Sequence, residues 1–318
     1  MIVARVRRTI HERALIAPGT RVLAACSGGP DSAAMLIALA RLASDLDYEL
    51  QAASVDHGLR EDAALDVAIA AEQAAAAGVP FHALRVVVDP HASLQQAARS
   101  ARYAALHALA ARLGAARIAV GHTQDDQAET VLIRTLRGAG LAGLSGVEPL
   151  RGDGVIRPLI DCRRADVVAF AAQHCSRVAS DPSNLDARFE RVRVRHDVLP
   201  RLEAEDPAAV QHLADLADEA RGASDVLRAE AEALLALSEQ CDESIDVSLF
   251  IRAAPVVRRW ALRAWLERKT GAALGRAQLT AADHALAAPA EIWLADGWVL
   301  RSDGEGRLVL LRNPGRPS

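Results

Sequence analysis

The chain has 318 residues, is 51% hydrophobic and 25% charged, and carries a formal net charge of −4. Its length accommodates about two domains with a substantial core, and its composition is that of a globular protein. The charge does not advertise a nucleic-acid binder, although for such partners the distribution of charge matters more than the sum.

No window approaches about eighteen uninterrupted apolar residues, so no membrane span is expected. The N-terminus places Arg5, Arg7 and Arg8 among its apolar residues. It lacks an apolar signal core, which predicts a cytoplasmic location. Cys26, Cys162, Cys175 and Cys241 are scattered without a C-x-x-C pair. That argues against a zinc ribbon, an iron–sulfur cluster or a disulfide framework and fits a reducing compartment. Lys269 is the only lysine, which reads as genome base composition.

In chain order, residues 3–16 predict an amphipathic helix ending near Pro18 and Gly19. A strand over 21–26 precedes a glycine turn and a helix to about Ser44. Residues 48–55 predict a second strand, with Asp56, His57 and Gly58 at its end. An alanine-rich helix over 61–77 stops at Gly78 and Pro80. A third strand (81–88), a long helix (93–113), a fourth strand (117–120) and a helix (124–137) follow. The glycine-rich run 137–146 is either a lid or a tight connection. Residues 155–160 predict an edge strand, 164–174 a helix, and Asp181, Pro182, Ser183 and Asn184 a turn. Beyond His196 the pattern turns helical (207–237, 255–269, 276–286). Short strands follow at 292–294, 298–301 and 308–311, with turns at Asp296-Gly297 and Asp303-Gly304.

Strands alternating with helices define an α/β class, a doubly wound, mostly parallel sheet with a second, mainly helical domain. The domains are expected at 1–200 and 201–318. Ligands of such sheets sit beyond the carboxyl ends of the strands, and the loops after Cys26, Val55 and Val120 all lie at that edge.

The loop Ser27, Gly28, Gly29, Pro30, Asp31, Ser32 joins the first strand to its helix. Two residues without a Cβ let backbone N–H groups turn inward, and the new helix opens with free N–H groups that Asp31 or Ser32 is placed to cap. The result is a positive cradle of phosphate size, or simply a strand-turn-helix corner. Pro30 donates no N–H, so the other positions must make the phosphate contacts. Neither a Walker A loop nor a G-x-G-x-x-G fingerprint is present.

The second stretch is His122, Thr123, Gln124, Asp125, Asp126, Gln127, Ala128, Glu129. Asp125 and Glu129 are i and i+4 on a predicted helix and share a face. These acids either complement the helix dipole or meet magnesium or a cationic substrate beside the phosphates. His122 is a candidate to orient or protonate a phosphate or leaving group, or a structural histidine. The third stretch places Arg188, Arg191, Arg193, Arg195 and His196 within nine residues. If extended, Arg191, Arg193 and Arg195 point the same way as a basic ridge for phosphates; the alternative is a set of ion pairs. A fourth basic run, with Arg258, Arg259, Arg263, Arg268 and Lys269 around Trp260 and Trp265, is either an RNA-facing or a merely solvated helix face.

The Ser27–Ser32 loop resembles the SGGxDS loop of the N-type ATP pyrophosphatases. With the His122–Glu129 and Arg188–His196 stretches, and with Asp56-His57-Gly58-Leu59-Arg60 and Arg157-Pro158-Leu159 in support, the order of motifs resembles the tRNA(Ile)-lysidine synthetases over about residues 20–200. Val192 stands where that pattern has Asn, and a further C-terminal domain of longer members is expected to be absent. The resemblance implies ATP-dependent adenylation of C2 of the wobble cytidine in a CAU-anticodon isoleucine tRNA. Attack by free L-lysine would then give lysidine, AMP and pyrophosphate. It implies Ser27, Asp31, His122, Asp125, Asp126 and Glu129 as catalytic residues, and Ser27, Gly28, Gly29, Pro30, Asp31 and Ser32 as the ATP cradle. It places Mg²⁺ near Asp125, Asp126 and Glu129, and tRNA or phosphate on Arg188, Arg191, Arg193, Arg195 and His196. An oligomer is compatible with the sequence. The alternatives are another tRNA-modifying or amidotransferase-type ATP pyrophosphatase on this scaffold, and a non-catalytic nucleotide- or tRNA-binding module.

Overall fold

The computed structural model describes residues 1–56, 58, 63–86, 94–179, 186, 188–241, 244–287, 290–302 and 306–312. His57, Leu59 and Arg60, the expected turn at Asp181–Asn184 and the turn at Asp303-Gly304 lie outside them. The chain divides into two compact units, Met1–Glu219 and Ala220–Ser318.

The first unit is built on five parallel strands, β1 (Thr20–Ala25), β2 (Tyr48–Asp56), β3 (Phe81–Arg85), β4 (Arg117–Ala119) and β5 (Val155–Ile156). Their order is β3-β2-β1-β4-β5, so the direction of winding reverses between β1 and β4, the place where a doubly wound sheet opens a crevice. Its helices are α1 (Ile2–Glu12), α2 (Pro30–Leu42), α3 (Ala63–Ala76), α4 (Leu94–Leu113), α5 (Gln124–Leu136), α6 (Leu141–Leu144), α7 (Arg164–His174), α8 (Glu190–Arg193) and α9 (Leu199–Glu205). Successive residues of a strand face opposite sides of the sheet, and β1 shows it. Val22 and Ala24 pack with α1, α2, α3 and α7, whereas Leu23 packs with Leu106 and Leu109 of α4 on the other face.

The glycine-rich run after α5 is a pinned connection. Arg134 donates to the carbonyls of Gly143 (2.7 Å) and Gly146 (2.8 Å), and Val147 N donates to Gln127 Oε1 (2.6 Å). The basic stretch departs from the extended ridge: α8 runs directly into a π-helical turn, Val194–Val198. On a helix, arginines four apart share a face and those two apart do not. Arg191 and Arg195 therefore turn inward, while Arg193 is exposed.

Helix α10 (Ala209–Ser238) carries the division between the units. The second unit contains α11 (Val247–Arg252), α12 (Pro255–Thr270) and α13 (Arg276–His284). It also holds an antiparallel sheet, ordered β6-β7-β10-β9-β8, of β6 (Glu239–Cys241), β7 (Ser244–Asp246), β8 (Glu291–Trp293), β9 (Trp298–Ser302) and β10 (Arg307–Arg312). Its core gathers Phe250, Leu262, Trp265, Leu266, Leu300 and Leu310. The expected mainly helical region is thus helices around a sheet. No helix among the described residues is long and apolar enough to cross a membrane.

Candidate active site

The glycine loop leaves β1 and enters α2 with Pro30 as its first helical residue, so the cap falls on Gly29, which has no side chain to offer. This corrects the expected cap by Asp31 or Ser32. Ser32 Oγ instead accepts from Ser27 N (3.1 Å), donates to the Gly29 carbonyl (3.0 Å) and lies 3.3 Å from Ser27 Oγ, closing the loop on itself. Gly28 has φ +78°, and a Cβ there would meet the Asp66 carbonyl oxygen at 2.8 Å. Across the crevice Gly121 backs onto the same turn: a Cβ at this position would sit 3.1 Å from the Asp31 carbonyl oxygen.

The loop opens on a cavity of about 420 Å³, lined by the polar Ser27, Asp31, Arg102, His122 and Arg164, by Gly29, and by the apolar Ala53, Val55, Val67 and Leu106. That size and mixture of walls suit one small ligand. Tyr103, also in the wall, has the guanidinium groups of Arg151, Arg99 and Arg102 over its ring at 4.6, 5.2 and 5.7 Å. Burial lowers the pKa of Arg102, and neighbouring Arg99 lowers it further.

Arg164 joins the parts of the site. It is the first residue of α7, and its N–H donates to Asp125 Oδ2 of α5 (2.7 Å). Its guanidinium reaches Asp31 Oδ2 of α2 (3.3 Å) and Asp126 Oδ1 of α5 (2.7 Å). Three helix N-termini, those of α2, α5 and α7, therefore meet around one arginine, and each end carries a partial positive charge. Burial opposes the charge on Arg164, but Asp126 and Asp31 outweigh it and raise its pKa.

Asp31 lies against the cavity with its Oδ1 buried and without a hydrogen-bond partner. Burial pushes its carboxyl up to about 6, with Arg164 pulling the other way. His122 accepts from Arg157 Nε at Nδ1 (3.2 Å), which leaves its proton on Nε2. Burial, against the pull of Asp126, takes its pKa down to about 3. The ring is neutral at physiological pH, so it can orient a ligand by an Nε2–H bond.

The three acids of α5 separate. Asp126 Oδ2 receives the N–H and hydroxyl of Thr123 (2.7 and 2.8 Å) in a capping box, while its Oδ1 receives Arg164, Arg191 (2.9 Å) and Arg195 (3.3 Å). Burial alone would raise its pKa, but Arg164 and Arg191 hold it well below the usual carboxylate range. Glu129, fully buried, receives Arg191 Nε (2.7 Å) and Arg195 Nε (2.6 Å). Asp125 instead faces Arg163 (3.3 Å) and the start of α7. The acids that share arginines are thus Asp126 and Glu129, at i and i+3, in place of Asp125 and Glu129. None of the three lines the cavity. Their oxygens already face guanidinium groups, and magnesium requires oxygen ligands and several waters. This donor set does not fit the ion, and the expected position of Mg²⁺ among them is corrected. No group of three or more potential metal ligands occurs among the described residues.

The remaining basic residues divide. Arg191 and Arg195 belong to the buried network just described. Arg188 is exposed and paired to Asp186 (2.6 Å), Arg193 donates to the Arg188 carbonyl (2.9 Å), and His196 is exposed. Sequence reasoning gave no role to Arg102, Arg157 or Arg164, although Arg157 stands in a stretch that supports the resemblance. Cys26 is buried, with its thiol pushed up to about 12 by burial.

A doubly wound sheet with a glycine phosphate loop at its winding reversal is the architecture of a nucleotide-binding protein, and the PP-loop domain profile matches residues 2–202. The chain is 38% identical to a tRNA(Ile)-lysidine synthase of Salinispora tropica over 99% of this chain and 95% of that one. It is 41% identical to one of Symbiobacterium thermophilum over 67% of this chain and 46% of that protein, and 44% identical to one of Methylobacterium nodulans over 67% and 63%. The chain belongs to the tRNA(Ile)-lysidine synthase family. It spans about half the length of some relatives it matches and nearly all of another. Among solved structures, the U34-tRNA thiolase NcsA of Methanococcus maripaludis, described with its [4Fe-4S] cluster, superposes with a TM-score of 0.60. The two are 19% identical over 69% of this chain and 76% of that one, a likeness of fold.

Proposed function

We propose that the protein is an ATP-dependent ligase that joins free lysine to C2 of the wobble cytidine in a CAU-anticodon isoleucine tRNA. The C2 oxygen attacks the α-phosphorus of ATP and pyrophosphate leaves. The lysine ε-amino group then adds at C2, loses a proton, and expels AMP. The observation that carries the reading is the convergence of three helix N-termini and Arg164 on the glycine loop, which supplies preorganised positive charge where negative charge develops.

In this reading the backbone N–H groups of residues 28–32, Pro30 excepted, hold the phosphates, assisted by the Ser27 hydroxyl. Arg164 balances charge at the phosphorus, and neutral His122 orients an oxygen through Nε2–H. Asp126 and Glu129 position Arg164, Arg191 and Arg195, and lysine reaches these acids only by replacing a guanidinium. Magnesium accompanying the nucleotide would take Asp31 Oδ1, the orphaned carboxylate oxygen beside the loop, and would neutralise phosphate charge. We assign the chemistry to residues 1–200 and tRNA selection, with the basic face of α12, to residues 201–318, acting in the cytoplasm.

The test is pyrophosphate release by the purified chain with ATP, with and without lysine, and with isoleucine or methionine CAU tRNA. Sustained release, beyond one equivalent per protein or tRNA, is expected only with lysine and the isoleucine tRNA together. Turnover indifferent to lysine refutes the proposal.

A further inference from the structure

The peptide between Gly28 and Gly29 is held from behind. The Gly28 carbonyl accepts two hydrogen bonds, from Gln73 Nε2 of α3 (2.9 Å) and from the Ala179 N–H (2.9 Å). Gln73 Nε2 also donates to the Arg177 carbonyl (3.1 Å), so the amide is fixed with its nitrogen toward the loop by two acceptors. Its Oε1 is buried and has no partner, although the residue is only 6% exposed. In a buried stripe of Ile69, Ala70 and Ala74, a glutamine with a wasted acceptor is costly, because an unmade hydrogen bond is not compensated by packing.

No peptide bond among the described residues is cis, and in a trans peptide the C=O and the following N–H point in opposite directions. A Gly28 carbonyl drawn toward α3 therefore aims the Gly29 N–H away from α3. Gly29 lines the cavity and Gly28 does not. Two adjacent glycines are free to turn this peptide over, and the turned peptide would set a carbonyl oxygen against a phosphate.

We propose that Gln73 is a positioning residue for the phosphate loop, holding the Gly28–Gly29 peptide in the orientation that donates to an anion. The inference rests on the ATP reading of the cavity. It is tested by calorimetric titration of the full chain with ATP, inorganic pyrophosphate and adenosine, using Gln73→Met, which keeps the shape and loses the donor, and Gln73→Glu, which turns the donor into an acceptor.

Loss of one aimed hydrogen bond predicts about tenfold weaker ATP and pyrophosphate binding in Gln73→Met. The loss is larger in Gln73→Glu, and adenosine affinity is unchanged in both. Equal weakening of adenosine and ATP, or unchanged ATP and pyrophosphate affinity in whichever variant folds, overturns the proposal. A wild-type chain that binds neither ATP nor pyrophosphate overturns the ATP reading and this inference with it; unaffected variants beside a binding wild type overturn this inference alone.

Discussion

Replacing Asp31 by Asn separates what the carboxylate does for folding from what it does for the ligand. The carboxyl is pushed up to about 6 by burial, about two pH units above an ordinary aspartate, and each unit corresponds to about 1.4 kcal/mol. The folded state then binds the proton more tightly than the unfolded chain. Stability is highest below pH ~4, falls as pH rises through about 4 to 6, and is level above. The full effect is about 3 kcal/mol, and the opposing pull of Arg164 is already contained in that shift. Asp31→Asn is thus expected to exceed the wild type by about 3 kcal/mol at pH 7.5 and to show no gain at pH 4. Urea midpoints followed by circular dichroism at pH 4, 5.5 and 7.5 measure the difference, while turnover of ATP is lost. A gap between variant and wild type that does not change with pH refutes the reasoning.

Gly28→Ala forces a side chain onto a residue at φ +78° and a Cβ to 2.8 Å from the Asp66 carbonyl oxygen. The conformational term alone is about 1–2 kcal/mol, and a lowered melting temperature with at least about tenfold weaker ATP binding is expected. Glu129→Ala leaves Arg164, Arg191 and Arg195 to share the single carboxylate of Asp126 and should destabilise by about 3 kcal/mol in chemical unfolding. Asp186→Ala removes the partner of the exposed Arg188 and leaves the melting temperature where it was. His122 is neutral down to about pH 3, so the pH–rate profile between 5 and 8 contains no inflection that disappears in His122→Asn. Because its pKa is depressed by folding, its neutral state supports the fold above pH ~6.5 and loses that support as pH falls toward 3. Acid unfolding of His122→Asn should accordingly begin at lower pH.

The parallel sheet was legible because strand and helix periods alternate without ambiguity from Thr20 to His174. Three of the strand ends named on other grounds do meet at the crevice. The pairing of acids and arginines was not legible. Arg191, Arg193 and Arg195 have the spacing of one strand face, and only the helical backbone of α8 and its π-turn makes Arg191 and Arg195 neighbours. Arg164 and Asp31 are 133 positions apart, and no local pattern announces their contact. A polar residue on an alanine-rich buried stripe was the available signal for Gln73. The three-residue strands β6 and β7 are too short to display an alternation. The cap of α2 moved to Gly29 because Pro30 prefers the first helical position.

Three positive helix ends meet around Arg164, tempered by the carboxylates of Asp31, Asp125 and Asp126 that face it. On the ATP reading a small anion at the glycine loop competes with the nucleotide, so buffer salts are expected to behave as weak ligands. Phosphate or sulfate at many times its dissociation constant adds stability by mass action, about 2.7 kcal/mol at a hundredfold excess. Melting curves taken in phosphate would then describe a liganded protein, and nucleotide affinities measured there would be those of a competition.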